Sequence, residues 1–211
     1  MGSMIKAVIF DLGGVLVRTD FPEVRQRLEK RLGLDSGVLG EIVWGGETWE
    51  LAELGQITYE EYWRRVGKAL DLHTQEEIGS FRREYFSGDR LDVELVSLIK
   101  ELRNRHRIGL LSNAPDRLEM WLEENWGIKD LFDAIVYSAK VHVAKPDPSI
   151  FHMILKQLAV APSESLFVDD YPRNIDAALE LGMHAIRFAG TKALKQELGR
   201  YVTLDTGDTQ R

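Results

Sequence analysis

Four short clusters of polar residues, each close behind an apolar run or just ahead of a helix, carry the chemistry open to this chain. Val8-Ile9-Phe10 ends in Asp11, and Leu12, Gly13 and Gly14 follow before Val15-Leu16 resume the apolar pattern. Gly109-Leu110-Leu111 ends in Ser112-Asn113, ahead of Ala114-Pro115. Lys145 stands in Lys145-Pro146-Asp147-Pro148, and Leu166-Phe167-Val168 ends in Asp169-Asp170. If the apolar runs are strands of one parallel sheet, all four clusters reach the same edge. Taken singly, Asp11, Ser112-Asn113 and Lys145 read as turn, helix-entry or loop residues. Asp169-Asp170 resists that reading, because adjacent carboxylates behind a buried strand repel unless a cation compensates.

Together the clusters supply what attack on a phosphate ester requires. Asp11 is an anionic nucleophile, and Asp11 with Asp170 can hold a hard, oxygen-seeking Mg²⁺ that offsets charge on the transferring group. Ser112 offers its hydroxyl and Asn113 its backbone N–H to phosphoryl oxygens. Lys145 brings a compact positive charge that pairs with both phosphate and nucleophile. Backbone amides near Leu12 and Gly13 complete an anion nest.

The elements that must position these groups follow from periodicity. Strands are expected at Ile5–Phe10, Ile108–Leu111, Ala134–Tyr137, Leu166–Val168 and Ala185–Phe188, the last four alternating with helices. This pattern predicts an α/β fold with a Rossmann-like parallel sheet. Helices are expected from Asp92 to about His106, from Pro115 to Gly127, from Asp147-Pro148 onward, and from Pro172 to Gly182. Residues 17–89 show no convincing strand and read as a helical insertion, leaving a core of 1–16 and 90–211. In the insertion, Pro22 suits the first turn of a helix over Phe21–Leu32 that Gly33 ends, and Thr58/Glu61 and Thr74/Glu77 have capping-box spacing. Trp63 is expected in its core, whereas Trp44, before Gly45-Gly46, and Trp49 are divided between core and a loop facing the site.

Composition narrows the partners. The 211 residues are 44% hydrophobic and 29% charged, with a net charge of −7 and no cysteine. That balance argues against nucleic-acid and acidic-membrane partners and excludes disulfides and thiolate chemistry. Arg103-Asn104-Arg105-His106-Arg107 reads as a solvated helix end rather than a phosphate site. No signal-peptide or membrane-spanning pattern is evident, so a cytoplasmic location is expected. Met1-Gly2-Ser3 is set aside as a cloning remnant, and the polar tail after Tyr201 is expected to be loosely held. Either a monomer or a homodimer fits the aromatic-rich insertion.

With these residues in view, the chain resembles the haloacid dehalogenase superfamily along essentially its whole length. Phe10-Asp11-Leu12-Gly13-Gly14-Val15-Leu16 is similar to that family's first motif, and Leu110-Leu111-Ser112-Asn113 to its second. Lys145-Pro146 matches the third and Val168-Asp169-Asp170 the fourth, while the insertion sits where the family carries a small α-helical cap. The segment Glu53–Trp63, with Asp169-Asp170 and the following Asn174, resembles the sugar-phosphate phosphatases and the phosphatase-type domain of soluble epoxide hydrolases. The resemblance implies a Mg²⁺-dependent phosphohydrolase acting on a small phosphorylated metabolite through an aspartyl-phosphate. It implies Asp11 as nucleophile and metal ligand, the Gly13 carbonyl and Asp170 as further ligands, and Asp169 behind them. Ser112 and Lys145 would bind phosphate.

Gly13 departs from the family pattern, which usually places there the aspartate that protonates the leaving oxygen. Such a group is worth about 10²–10⁴-fold in rate. Three readings stay open: a substrate with a good leaving group, a proton from His142 or an insertion residue, or a catalytically weak binding protein. A 2-haloacid dehalogenase needs no acid at that position, but it also needs no metal, so Asp169-Asp170 argues against it.

Overall fold

The expected strands pair side by side. The computed structural model describes residues 4–203, so Met1-Gly2-Ser3 and all of the tail beyond residue 203 lie outside the described residues. In chain order the strands are β1 (Ala7–Phe10), β2 (Val17–Thr19), β3 (Asp89–Leu91), β4 (Arg107–Ser112), β5 (Ala134–Tyr137), β6 (Ser165–Asp169) and β7 (His184–Arg187). Five of them form one sheet in the order β5-β4-β1-β6-β7, with every pairing parallel. β1 is central and wholly buried, which is why its sequence is an unbroken apolar run rather than an alternation.

Alternate residues of β1 serve opposite faces of the sheet. Val8 and Phe10 join Leu110, Val168 and the helix residues Leu95 and Ile99 on one side. Ala7 and Ile9 join Leu111, Phe167, Phe151 and Ile154 on the other. The chain runs out from β1 through β4 to β5, then returns through β6 to β7 on the other side of β1. That reversal opens a crevice at the carboxyl ends of β1, β4 and β6, where ligands of such sheets bind.

Between β2 and β3 lie α1 (Glu23–Leu32), α2 (Val38–Trp44), α3 (Gly46–Glu53), α4 (Tyr59–Ala69) and α5 (Gln75–Tyr85). The expected absence of strands from 17–89 does not hold. Val17–Thr19 pairs antiparallel with Asp89–Leu91, because the chain leaves and re-enters the core at one place. Three-residue strands are too short to show a period, which is why the sequence hid them. Gly33 takes the left-handed conformation that ends α1, and Thr74 with Glu77 forms the full capping box of α5. At α4 only half the box exists: Thr58 accepts from the Glu61 N–H, while the Glu61 carboxylate turns to Arg64 and Arg65.

The insertion packs around aromatic rings. Trp63 and Tyr62 are buried at its centre, and Trp44 sets its ring edge-on against Trp49 at 4.7 Å and Phe86 at 5.9 Å. Gly45-Gly46 is not an open loop but the junction of α2 and α3. Trp44 thus closes one side of the ring cluster and leaves the other exposed.

Beyond the insertion follow α6 (Val93–Leu102), α7 (Leu118–Met120), α8 (Ser138–Val141), α9 (Pro148–Leu158), α10 (Pro172–Glu180) and α11 (Thr191–Leu198), of which α8 and α11 were not foreseen. Asp92 caps α6 through the Leu95 N–H, as its position suggested, but α6 ends at Leu102. The helix expected from Pro115 begins only at Leu118 and widens into a π-helical turn over Trp121–Asn125. Residues 115–117 stay outside the helix, and there the Asp116 carboxylate accepts the Tyr59 N–H at the start of α4. The insertion meets the core again at Gly55, where a Cβ would stand 2.4 Å from the Ala139 carbonyl oxygen.

Gly55→Ala is therefore expected to lower stability by about 1–3 kcal/mol, because φ is +65° there and the new methyl strikes backbone. Urea denaturation of the two proteins measures this, and an unchanged midpoint would show that the seam yields freely.

Candidate active site

Strand register alone brings two of the carboxylates level. Phe10 pairs with Val168, and the Asp11 N–H donates to the Val168 carbonyl at 2.9 Å, so Asp11 stands beside Asp169 at the end of β6. Between them lies the ammonium of Lys145, 2.8 Å from Asp11 Oδ1 and 2.7 Å from Asp169 Oδ2. The loop that delivers Lys145 is clasped by Asn113, whose Oδ1 accepts the Lys145 N–H at 2.8 Å while Nδ2 donates to its carbonyl at 3.0 Å. The Asn113 side chain is thus occupied in placing Lys145, a role its sequence position did not announce.

Asp169 is saturated by protein. Its Oδ1 accepts the Tyr171 N–H at 2.7 Å, and its Oδ2 takes Asn174 Nδ2 at 2.9 Å together with Lys145. Asp170 differs: among the described residues no side chain donates a hydrogen bond to its carboxylate, and Arg187 Nε donates instead to its main-chain carbonyl at 3.3 Å. Asp11, Asp169 and Asp170 each present an oxygen within 4.8 Å of the others. Ser112 ends β4 at the same edge, buried. The Leu12 N–H is turned toward the Asp11 carboxylate.

The adjacent glycines have different reasons to be glycine. At Gly14, φ is +77° and a Cβ would lie 2.3 Å from Asp170 Oδ2, so only glycine lets that carboxylate sit over the turn. A Cβ at Gly13 would meet nothing within 4 Å, and its φ is ordinary.

Burial pushes the Asp11 carboxyl up to about 6, with Lys145 pulling against the rise and Asp169 adding to it. Asp170 is also raised, by burial and by Asp169. Burial disfavours the Lys145 ammonium, but Asp11 and Asp169 outweigh it and the net shift is upward. Three carboxylates facing one ammonium leave an excess of negative charge, and an all-oxygen cluster of that kind suits a hard divalent cation such as Mg²⁺.

Other groups fall elsewhere. His142 Nδ1 lies 2.8 Å from the Leu54 carbonyl, which makes that nitrogen a donor tying the core to the insertion. The stretch Arg103–Arg107 lies at the amino end of β4, the sheet edge opposite the carboxylates. Sequence reasoning gave no role to Glu53, the last residue of α3, which the fold sets against Asn113. No helix of the described residues is long and apolar enough to cross a membrane.

The family model for haloacid dehalogenase-like hydrolases matches residues 5–182. A sesquiterpene phosphatase of Aspergillus oryzae is 32% identical to this chain, over 96% of it and 99% of the relative. A D-ribitol-5-phosphate phosphatase of Bacteroides thetaiotaomicron is 31% identical, over 92% and 97%. The chain belongs to the haloacid dehalogenase-like hydrolase family. Among solved structures, a family enzyme of Bacteroides thetaiotaomicron, in complex with magnesium and inorganic phosphate, superposes with a TM-score of 0.73 at 23% identity, covering 90% of this chain and 98% of that one.

Two outcomes are expected of the cluster. Gly14→Ala should weaken Mg²⁺ binding about 10–100-fold by displacing Asp170, as measured by titration calorimetry. With Asp11 protonated below about 6, Mg²⁺ affinity should fall as pH drops through that value, and a flat profile there would remove Asp11 from the ligands.

Proposed function

We propose that this chain is a Mg²⁺-dependent phosphohydrolase that acts on a small phosphorylated metabolite, foremost a sugar phosphate, through an aspartyl-phosphate. The observation that carries the reading is the buried Lys145 bridging Asp11 and Asp169 beside an Asp170 carboxylate to which no side chain among the described residues donates a hydrogen bond. Asp11, Asp170 and the Gly13 carbonyl would hold the ion, with Asp169 orienting Lys145 behind them. When bound, Mg²⁺ neutralises charge shared between nucleophile and phosphate. Asp11 attacks phosphorus, the Lys145 ammonium holds a phosphoryl oxygen and keeps Asp11 aligned, and Ser112 with the Asn113 N–H bind the remaining oxygens. Residues 17–89 act as a cap over a core of 1–16 and 90–211, excluding water from the crevice.

The relatives named as a D-ribitol-5-phosphate phosphatase and a sesquiterpene phosphatase support the phosphatase reading and leave the rest of the substrate open. Halide displacement on this scaffold would need no cation, so three carboxylates within 4.8 Å favour the phosphate reading. A binding protein without turnover would have no use for a nucleophile held in line by a buried lysine.

Asp11→Asn is expected to reduce Mg²⁺-dependent phosphate release from p-nitrophenyl phosphate or a sugar-phosphate panel by at least about 10³-fold, with the circular dichroism spectrum retained. Chelation of the ion should have the same effect on the unaltered protein. Full activity in the variant would reject the nucleophile, and no release by the unaltered protein on any substrate would reject the function.

A further inference from the structure

We propose that Glu53, carried by α3 of the insertion, is the proton donor to the leaving oxygen that residue 13, a glycine here, does not provide. This rests on the phosphohydrolase reading above and adds to it the residue that completes the reaction. Nothing steric requires glycine at position 13, because φ is ordinary and the space a Cβ would enter is open. The core's usual position for the acid therefore holds no donor, and the proton must come from another element.

In-line displacement places the departing oxygen on the side of phosphorus away from Asp11. Asp11 follows the last residue of β1 at the carboxyl edge of the sheet, and the insertion meets that edge where α3 ends, against α8 behind β5. Leu54 is bonded there to His142, and Gly55 lies against Ala139. Glu53 immediately precedes these two anchors at the end of α3, and its carboxylate lies close enough to the Asn113 amide and the Trp49 indole to be influenced by both. Asn113 is the residue that clasps Lys145, whose ammonium touches Asp11. Glu53 therefore neighbours the residue that positions the lysine beside the nucleophile.

The groups around Glu53 favour a protonated carboxyl. Burial and the neighbouring Glu50 raise it above the ordinary range, while Trp49, Asn113 and Lys145 pull less strongly the other way. A phosphate dianion arriving beside it acts in the same direction as Glu50. Other titratable groups near this seam have partners: His142 Nδ1 bonds the Leu54 carbonyl, the Asp116 carboxylate accepts the Tyr59 N–H, and Glu60 pairs with Arg117.

The step balances simply. Asp11 oxygen forms a bond to phosphorus as the bond from phosphorus to the alcohol oxygen breaks, and the Glu53 proton passes to that oxygen to release the alcohol. Glu53, now a carboxylate, then takes a proton from the water that attacks phosphorus, as the bond to Asp11 breaks and phosphate leaves. Donor and acceptor are restored.

The test compares alkyl and aryl phosphates, since an alkoxide needs a proton to leave and p-nitrophenolate does not. In Glu53→Gln, kcat for an alkyl phosphate such as a sugar 6-phosphate should fall about 10²–10⁴-fold, and by at least ten times more than formation of p-nitrophenolate in the pre-steady-state burst. Adding Gly13→Asp to that variant should recover part of the alkyl rate. Equal losses on the two substrates, a rise in KM with kcat retained, or no loss would each overturn the assignment and make Glu53 at most a binding contact. Absence of Mg²⁺-dependent release in the unaltered protein would instead overturn the phosphohydrolase reading, and the proposal with it.

Discussion

The arrangement of this site depends on one buried cation. The Lys145 side chain is 1% exposed and stands between Asp11 and Asp169, so its charge has no solvent to screen it. Removing one partner of such a pair typically costs about 3–5 kcal/mol, because the other charge is left uncompensated. The lysine consequently fixes the relative positions of everything that touches it. It ties the end of β1 to the end of β6, and through Asn113 it ties the loop before α9 to the end of β4. Asn174 on α10 completes the set by holding Asp169 from the far side. The carboxylates outnumber the ammonium, and the imbalance lies on the Asp11–Asp170 side, where the Arg187 guanidinium donates only to the Asp170 main-chain carbonyl at 3.3 Å.

The same edge shows how backbone and charge constrain each other. Gly14 is glycine because a Cβ there would strike the Asp170 carboxylate, so the β1 turn and the β6 turn have to be shaped together. Gly13 is under no such demand. Two adjacent glycines thus differ in kind: one answers to a close approach, and the other meets no steric demand. The insertion's interior is packed with aromatic rings, and its contacts at Leu54, Gly55 and Tyr59 seat it on His142, Ala139 and Asp116 of the core. Tyr59 also packs edge-on against Trp121 of the core at 5.0 Å.

Much of this was legible from residue order. The apolar runs at β1, β4, β5, β6 and β7 exist because strands buried on both faces have no polar side to alternate with. Gly33 and the Thr74/Glu77 box marked helix ends because caps are local chemistry between residues three or four apart. What escaped was set by distant partners. The β2–β3 pair joins residues about seventy positions apart and is too short for a period. Residues 115–117 stay out of a helix, with Asp116 answering to an N–H of the insertion. The Arg-rich stretch was rightly separated from the site, and the reason is topological: it sits at the amino end of β4.

The sequence by itself determined the α/β class, the parallel sheet and the set of acidic, basic and amide residues at strand ends, since each follows from local periodicity and residue type. It also exposed the missing carboxylate at position 13. Only the tertiary structure decided how those residues divide the work. That Lys145 reaches Asp169, that Asn113 holds Lys145, and that Glu53 lies near Asn113 are facts of distance between segments 24 to 60 residues apart. Local patterning has no information about such distances. They arise when strand register, a buried charge and the seating of the insertion are satisfied together.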